Sequence, residues 1–168
     1  MLDQYTTPRL FLNRLAAEDS VFIKALLNTA GWIKFIGNRN INTLEDAGKY
    51  IEKINANPSI VYWVVRLRED ETPIGIITYI KRDYLTHPDI GFAFLDEYKG
   101  KGFAFEAASV VLESLFDDNS HEMILATTLK ENETSIALLQ KLGFKFNENI
   151  LVGEEELMAF GRSLRFKV

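Results

Sequence analysis

The sequence predicts an α/β (α+β) fold in which a central mixed, mostly antiparallel sheet of about seven strands carries helices on both faces. Three observations predict it. Segments with two-residue alternation, or rich in β-branched and aromatic residues, recur at 9–15, 60–67, 73–84, 89–94, 123–129 and again after 144. Segments with a helical period separate several of them, opened by capping residues or by a glycine loop. Short polar turns join others, as hairpins require.

Residues 9–15 alternate and form a first strand, entered through Pro8. Glu18, Asp19 and Ser20 precede the apolar series Val21, Phe22, Ala25 and Leu26, which starts a helix that fades near 28–31. Residues 32–37 are apolar and flanked by Gly31 and Gly37. Thr43 with Asp46 three residues on has the form of a capping box. The helix it opens presents Leu44, Ala47, Ile51 and Ile54 and closes at Asn57-Pro58. Residues 60–67 and 73–84 are expected to make a hairpin around the polar turn 68–72. Ile90, Phe92 and Phe94 then alternate with Asp89, Gly91 and Ala93 as a strand. After Lys99-Gly100-Lys101-Gly102 the period changes: Ala104, Ala107, Ala108, Val111, Leu112 and Leu115 share one helical face, and 117–120 end it. Residues 123–129 form a strand, 132–142 a helix with Gly143 as its left-handed cap, and 144–151 with 156–166 a final antiparallel pair. No repeat, low-complexity tract or linker interrupts the 168 residues, which are read as one domain, 1–168.

Composition narrows the function. An apolar content of 47% indicates a folded globule. No apolar run reaches the roughly 20 residues of a membrane helix, and the first residues lack a signal-peptide layout, so a cytoplasmic protein with no membrane partner is expected. With no cysteine and only two histidines, no metal is expected. A net charge of −5 argues against nucleic acid.

The strand–glycine loop–helix at 89–108 offers anion binding. The first N–H groups of a helix lack intrahelical partners, the dipole is positive there, and Lys99 and Lys101 add charge. A pyrophosphate would take charge-assisted bonds of roughly 1.5–3 kcal/mol each. The dinucleotide fingerprint would need glycine at Phe105, and the P-loop pattern is absent. An ordinary strand–helix turn with solvated lysines also suits these six residues taken alone.

The run Lys99-Gly100-Lys101-Gly102-Phe103-Ala104 resembles the [Q/R]-x-x-G-x-[G/A] loop of the GNAT N-acetyltransferases, with lysine at the first position. Asn132-x-x-Ser135-x-x-Leu138-Leu139-x-Lys141-x-Gly143-Phe144 resembles that family's second signature, in the right order and with one strand between. With the Thr-Pro-Arg-Leu opening at 7–10, these runs are similar to the Rim-type subgroup, which acetylates N-termini of ribosomal proteins and includes enzymes acting on small amines. The resemblance implies acetyl-CoA as cosubstrate. By position, the amides of Phe94 and Leu95 would meet the acetyl carbonyl and pantetheine arm. Lys99 and Gly100, Lys101, Gly102, Phe103 and Ala104 would hold the pyrophosphate, and Asn132 and Ser135 would line the opposite wall.

The implied reaction is direct attack of an amine on the acetyl thioester, with a strand amide near Phe94 as oxyanion donor. Many family members have tyrosine as the acid where this chain has Leu139, which cannot donate a proton. Ser135, on the same helical face, or a bound water would replace it; a thiol of pKa about 8.5 also leaves reasonably well as thiolate. Candidate bases are Asp89, Glu97 and Glu106, with His87 and Tyr79 behind them. Deprotonating a lysine amine at pH 7 costs roughly 4.6 kcal/mol and an α-amine only about 1.4. A site without a strong base therefore leans toward an α-amine. Trp32, Phe35 and Ile36 are expected as an apolar lip over the acceptor, or equally as simple core. The acceptor is a protein or peptide N-terminus or a small-molecule amine, and the protein a monomer or homodimer. Competing readings are a coenzyme A-binding sensor without catalysis, and an interaction module that would not need both loop glycines.

Overall fold

The computed structural model describes residues 1–118 and 121–164. Eight strands and five helices follow in the order β1 (Gln4–Thr6), β2 (Leu10–Arg14), α1 (Ser20–Leu27), α2 (Ala30–Phe35), α3 (Leu44–Ala56), β3 (Ile60–Leu67), β4 (Pro73–Ile80), β5 (Asp89–Phe94), α4 (Phe103–Asp118), β6 (Met123–Thr128), α5 (Glu133–Lys141), β7 (Lys145–Val152) and β8 (Glu155–Ser163). The expected end of the last strand at Phe166, and that of α4 at residues 119 and 120, lie outside the described residues.

The strands form one sheet in the order β1-β2-β3-β4-β5-β6-β8-β7. Among the described residues only β5 and β6 run parallel; every other neighbouring pair is antiparallel. The mixed, mostly antiparallel sheet with helices on both faces is thus as expected. It has one more strand than about seven because Gln4–Thr6 adds an edge. That element is three residues long and exposes no periodicity. It is held by Tyr5, which is buried and packs edge-on against Trp63 with ring centroids 5.6 Å apart.

Alternation along the strands separates two cores. Trp63 and Val65 of β3 face Ala107, Ala108, Val111, Leu112 and Leu115 of α4, with Leu139 and Leu142. Tyr62 and Val64 face Phe22, Ile23, Leu26 and Leu27 of α1 and Ala47, Ile51 and Ile54 of α3. Each fully buried valine, leucine, isoleucine or phenylalanine among them contributes about 1.5–3 kcal/mol. The capping box of α3 forms with aspartate in the acidic position: Asp46 N–H donates to Thr43 Oγ1 at 3.0 Å, and Thr43 N–H to Asp46 Oδ2 at 2.8 Å.

Two boundaries differ from expectation. Residues 30–35 close into α2, because Thr29 Oγ1 accepts from Trp32 N–H at 3.2 Å and supplies the missing cap. Strand β4 stops at Ile80 rather than 84; the last rung of its pairing with β3 runs from Lys81 N–H to the Ser59 carbonyl at 2.8 Å. Among the described residues no helix is long and apolar enough to cross a membrane.

Candidate functional site

The site begins where two strands part. β5 and β6 pair through Asp89 and Leu125 alone, reinforced by Leu125 N–H donating to the Pro88 carbonyl at 2.9 Å. From Ile90 onward the β6 side of β5 has no ladder, while its other edge stays paired to β4 up to Gly75 opposite Phe94. Leu95 N–H donates to the Ile74 carbonyl in β4 at 3.0 Å. Antiparallel ladders alternate, so the Phe94 N–H points the other way, into the gap toward β6. This corrects one expectation: the Leu95 amide is already engaged, and Phe94 is left as the donor there.

The glycine loop stands at the mouth of the gap. A turn at Asp96–Tyr98 leads to Gly100 and Gly102, with φ of +73° and +81°. Only residues without a Cβ adopt that region at little cost. α4 starts directly afterwards, its first bond running from Glu106 N–H to the Gly102 carbonyl at 3.0 Å. The amides of Phe103 and Ala104 are therefore without intrahelical partners, as an anion site needs. Lys101 sits with its Nζ 5.6 Å from the Tyr98 ring. Lys99 is ion-paired with Asp96, and its Nζ lies 3.2 Å from where a side chain on Gly31 would begin. α2 therefore lies against the loop.

Asn132 is the cap of α5: its Oδ1 accepts from Ser135 N–H at 3.2 Å. Ser135 is half-buried, one turn ahead of Leu139, which is fully buried in the α4-side core and offers no proton.

The base candidates fall in different places. Glu106 accepts from Thr7 Oγ1 at 2.6 Å, Arg9 N–H at 3.0 Å and Arg9 Nε at 2.7 Å. Partial burial pushes its carboxyl up, but the Thr7 and Arg9 bonds outweigh this and hold it below the usual range. So held, Glu106 is a structural acceptor and a poor base. Tyr79 is buried toward α4, its hydroxyl 2.6 Å from His121 Nε2, away from α2. Glu97 is exposed on the turn after β5, and His87 half-buried in the loop before it.

Asp89 is buried at the apex of the gap. Its Oδ2 accepts from Arg82 Nε at 3.0 Å, while its Oδ1 has no hydrogen-bond partner among the described residues. Burial pushes its carboxyl up, and Arg82 draws it only part of the way back. Asp89 and Phe94 end the same strand, roughly 16 Å apart at about 3.3 Å per residue. Direct contact of both with one reacting centre is thus excluded.

Of the expected lip, Trp32 is buried in the α1–α3 core. Phe35 is half-buried and Ile36 exposed. In the same core as Trp32, Tyr50 and Tyr62 share a hydrogen bond of 3.2 Å, and burial, then Tyr50, pushes the Tyr62 hydroxyl far up. Sequence reading missed Arg9, Thr7, Arg82 and this tyrosine pair. Only the Thr-Pro-Arg-Leu resemblance could have flagged the first two.

Residues 9–145 match the family described as the acetyltransferase (GNAT) domain. The chain is 29% identical over 140 residues to the uncharacterized N-acetyltransferase YnaD of Bacillus subtilis, covering 83% of this chain and 81% of that one. Among solved structures it is similar to a GNAT-family acetyltransferase from Bacillus anthracis (TM-score 0.81, 22% identity, 96% and 98% of the two chains). It is similar also to the ribosomal-protein-S5-alanine acetyltransferase of Vibrio fischeri (TM-score 0.78, 20% identity, 95% and 96%). A strand gap with an inward amide, a glycine loop at its mouth and a match across most of the sequence agree: the chain belongs to the GNAT acetyltransferase family.

Proposed function

We propose that this protein moves acetyl from acetyl-CoA to a primary amine by direct attack, with an α-amine, as in the Rim-type subgroup, as the favoured acceptor. The observation that carries it is the Phe94 N–H aimed into the β5–β6 gap behind the glycine loop. The new N–C bond forms first and gives a tetrahedral oxyanion, the C–S bond breaks as that oxyanion collapses, and the amine gives up one proton. Phe94 N–H stabilises the oxyanion between these events. The amides from Gly102 to Ala104 hold the pyrophosphate, and Asn132 and Ser135 face the pantetheine arm. Ser135 or water protonates the departing sulfur.

The unpartnered Oδ1 of Asp89 is the acceptor-side carboxylate. At roughly 16 Å from Phe94 it takes the proton through a chain of several waters. Phe35 and Ile36, on and just past α2 beside the loop, form the lip.

One observation favours a second reading, a coenzyme-binding sensor: Leu139 fills with core packing the place where many relatives carry an acid. Calorimetry with acetyl-CoA on the wild type and Gly102→Glu, followed by thiol release over a panel of amines, separates them. Binding lost in Gly102→Glu, with thiol release by the wild type, supports the transferase. Binding without release from any amine supports the sensor, and no binding overturns both.

A further inference from the structure

We infer that Arg9 is a positioning residue for the coenzyme pyrophosphate: anchored by Glu106, it fixes the Lys101 carbonyl and thereby aims the Gly102 amide. This rests on the acetyl-CoA reading above. Arg9 Nη1 donates to the Lys101 carbonyl at 3.1 Å and Nε to Glu106 Oε2 at 2.7 Å. The guanidinium lies over the Phe103 ring, 4.4 Å from its centroid, so its plane is held from below as well. Thr7 and the Arg9 main chain secure the other oxygen of Glu106.

The consequence follows from peptide geometry. The Lys101 C=O and Gly102 N–H belong to one trans plane and point in opposite directions. Fixing the carbonyl fixes the amide. Without that restraint, a loop with glycines at 100 and 102 samples many conformations and loses preorganisation. Arg9 also balances the charge of Glu106, which stands in the first turn of α4 where the pyrophosphate would bind. Its Nη2 lies 3.4 Å from where a side chain on Gly102 would begin, so the cation is at the loop itself.

The test is calorimetric titration of the full chain with acetyl-CoA for the wild type, Arg9→Met and Arg9→Lys, with melting temperatures and separate KM values for acetyl-CoA and the amine. Arg9→Met is expected to weaken acetyl-CoA binding about tenfold or more, a loss of the size of one charge-assisted bond. The acceptor KM should stay within about twofold. Arg9→Lys should recover only part, because one ammonium cannot hold Glu106 and the Lys101 carbonyl in a single plane. Wild-type affinity in Arg9→Met, even with a lower melting temperature, overturns the proposal, since Arg9 is then only a structural tie. Full recovery by lysine overturns it too, leaving charge alone. Failure of the wild type itself to bind acetyl-CoA instead overturns the coenzyme reading, and is seen before any variant is made.

Discussion

Gly75 and Phe94 face each other across β4 and β5, and a methyl group on Gly75 would lie 2.6 Å from Phe94 Cγ and 2.7 Å from the Ala93 carbonyl oxygen. The space beside Gly75 therefore belongs to the Phe94 ring and the backbone next to it. Gly75→Ala should displace that segment, destabilising the fold by about 1–3 kcal/mol and weakening acetyl-CoA binding as the Phe94 amide turns away. Urea denaturation with parallel titration checks both. A destabilised variant with unchanged affinity would separate the amide from the coenzyme.

Gly100 and Gly102 both have positive φ, but their surroundings differ: space is open around Gly100, whereas a side chain on Gly102 would begin in ordinary contact with Arg9 Nη2, 3.4 Å away. Alanine at either should cost roughly 1–2 kcal/mol of backbone strain. Gly102→Ala should weaken acetyl-CoA binding more than Gly100→Ala, because the Gly102 amide is the one that Arg9 aims at the pyrophosphate. Equal losses in the two variants would show that backbone strain alone governs the loop.

Burial raises the Asp89 carboxyl against the pull of Arg82. Its folded pKa thus lies above the unfolded value, so ionising it lowers stability as pH rises between the two. If Asp89 accepts the amine proton, kcat falls on acidification through a midpoint above the ordinary aspartate range. Asp89→Asn should remove that limb and lower kcat by about a hundredfold or more, leaving acetyl-CoA affinity intact. Glu97→Gln is the comparison: a rate loss confined to this variant would move the role to the turn after β5.

The acceptor preference can be read with two peptides. One has a free N-terminus and no lysine, the other a blocked N-terminus and one lysine. The first should be acetylated faster at pH 7, since its nitrogen costs about 3 kcal/mol less to deprotonate. A preference for the lysine peptide at equal concentration would reject the α-amine reading.

Much of this was legible because period and punctuation are local. Ala107, Val111 and Leu115 mark a helix face, and Gly100 and Gly102 a turn, whatever surrounds them. What stayed hidden depends on residues distant in the chain. Tyr5 makes a strand only because Trp63 waits across the sheet, and α2 exists because Thr29 caps a stretch too short for periodicity to show. Glu106 reads as a free acid until Thr7 and Arg9 are folded onto it. Leu95 reads as an available amide until β4 is paired beside it.

The brace from Thr7 and Arg9 to Glu106 also bears on engineering. The strand, loop and helix of residues 89–118 look like a portable cassette, yet their shape is imposed from a remote part of the chain. Grafted onto another scaffold without residues 7–9, the cassette would carry an unbalanced carboxylate and a slack loop, and with them a poor grip on the coenzyme. Transplanting the grip means moving both pieces together.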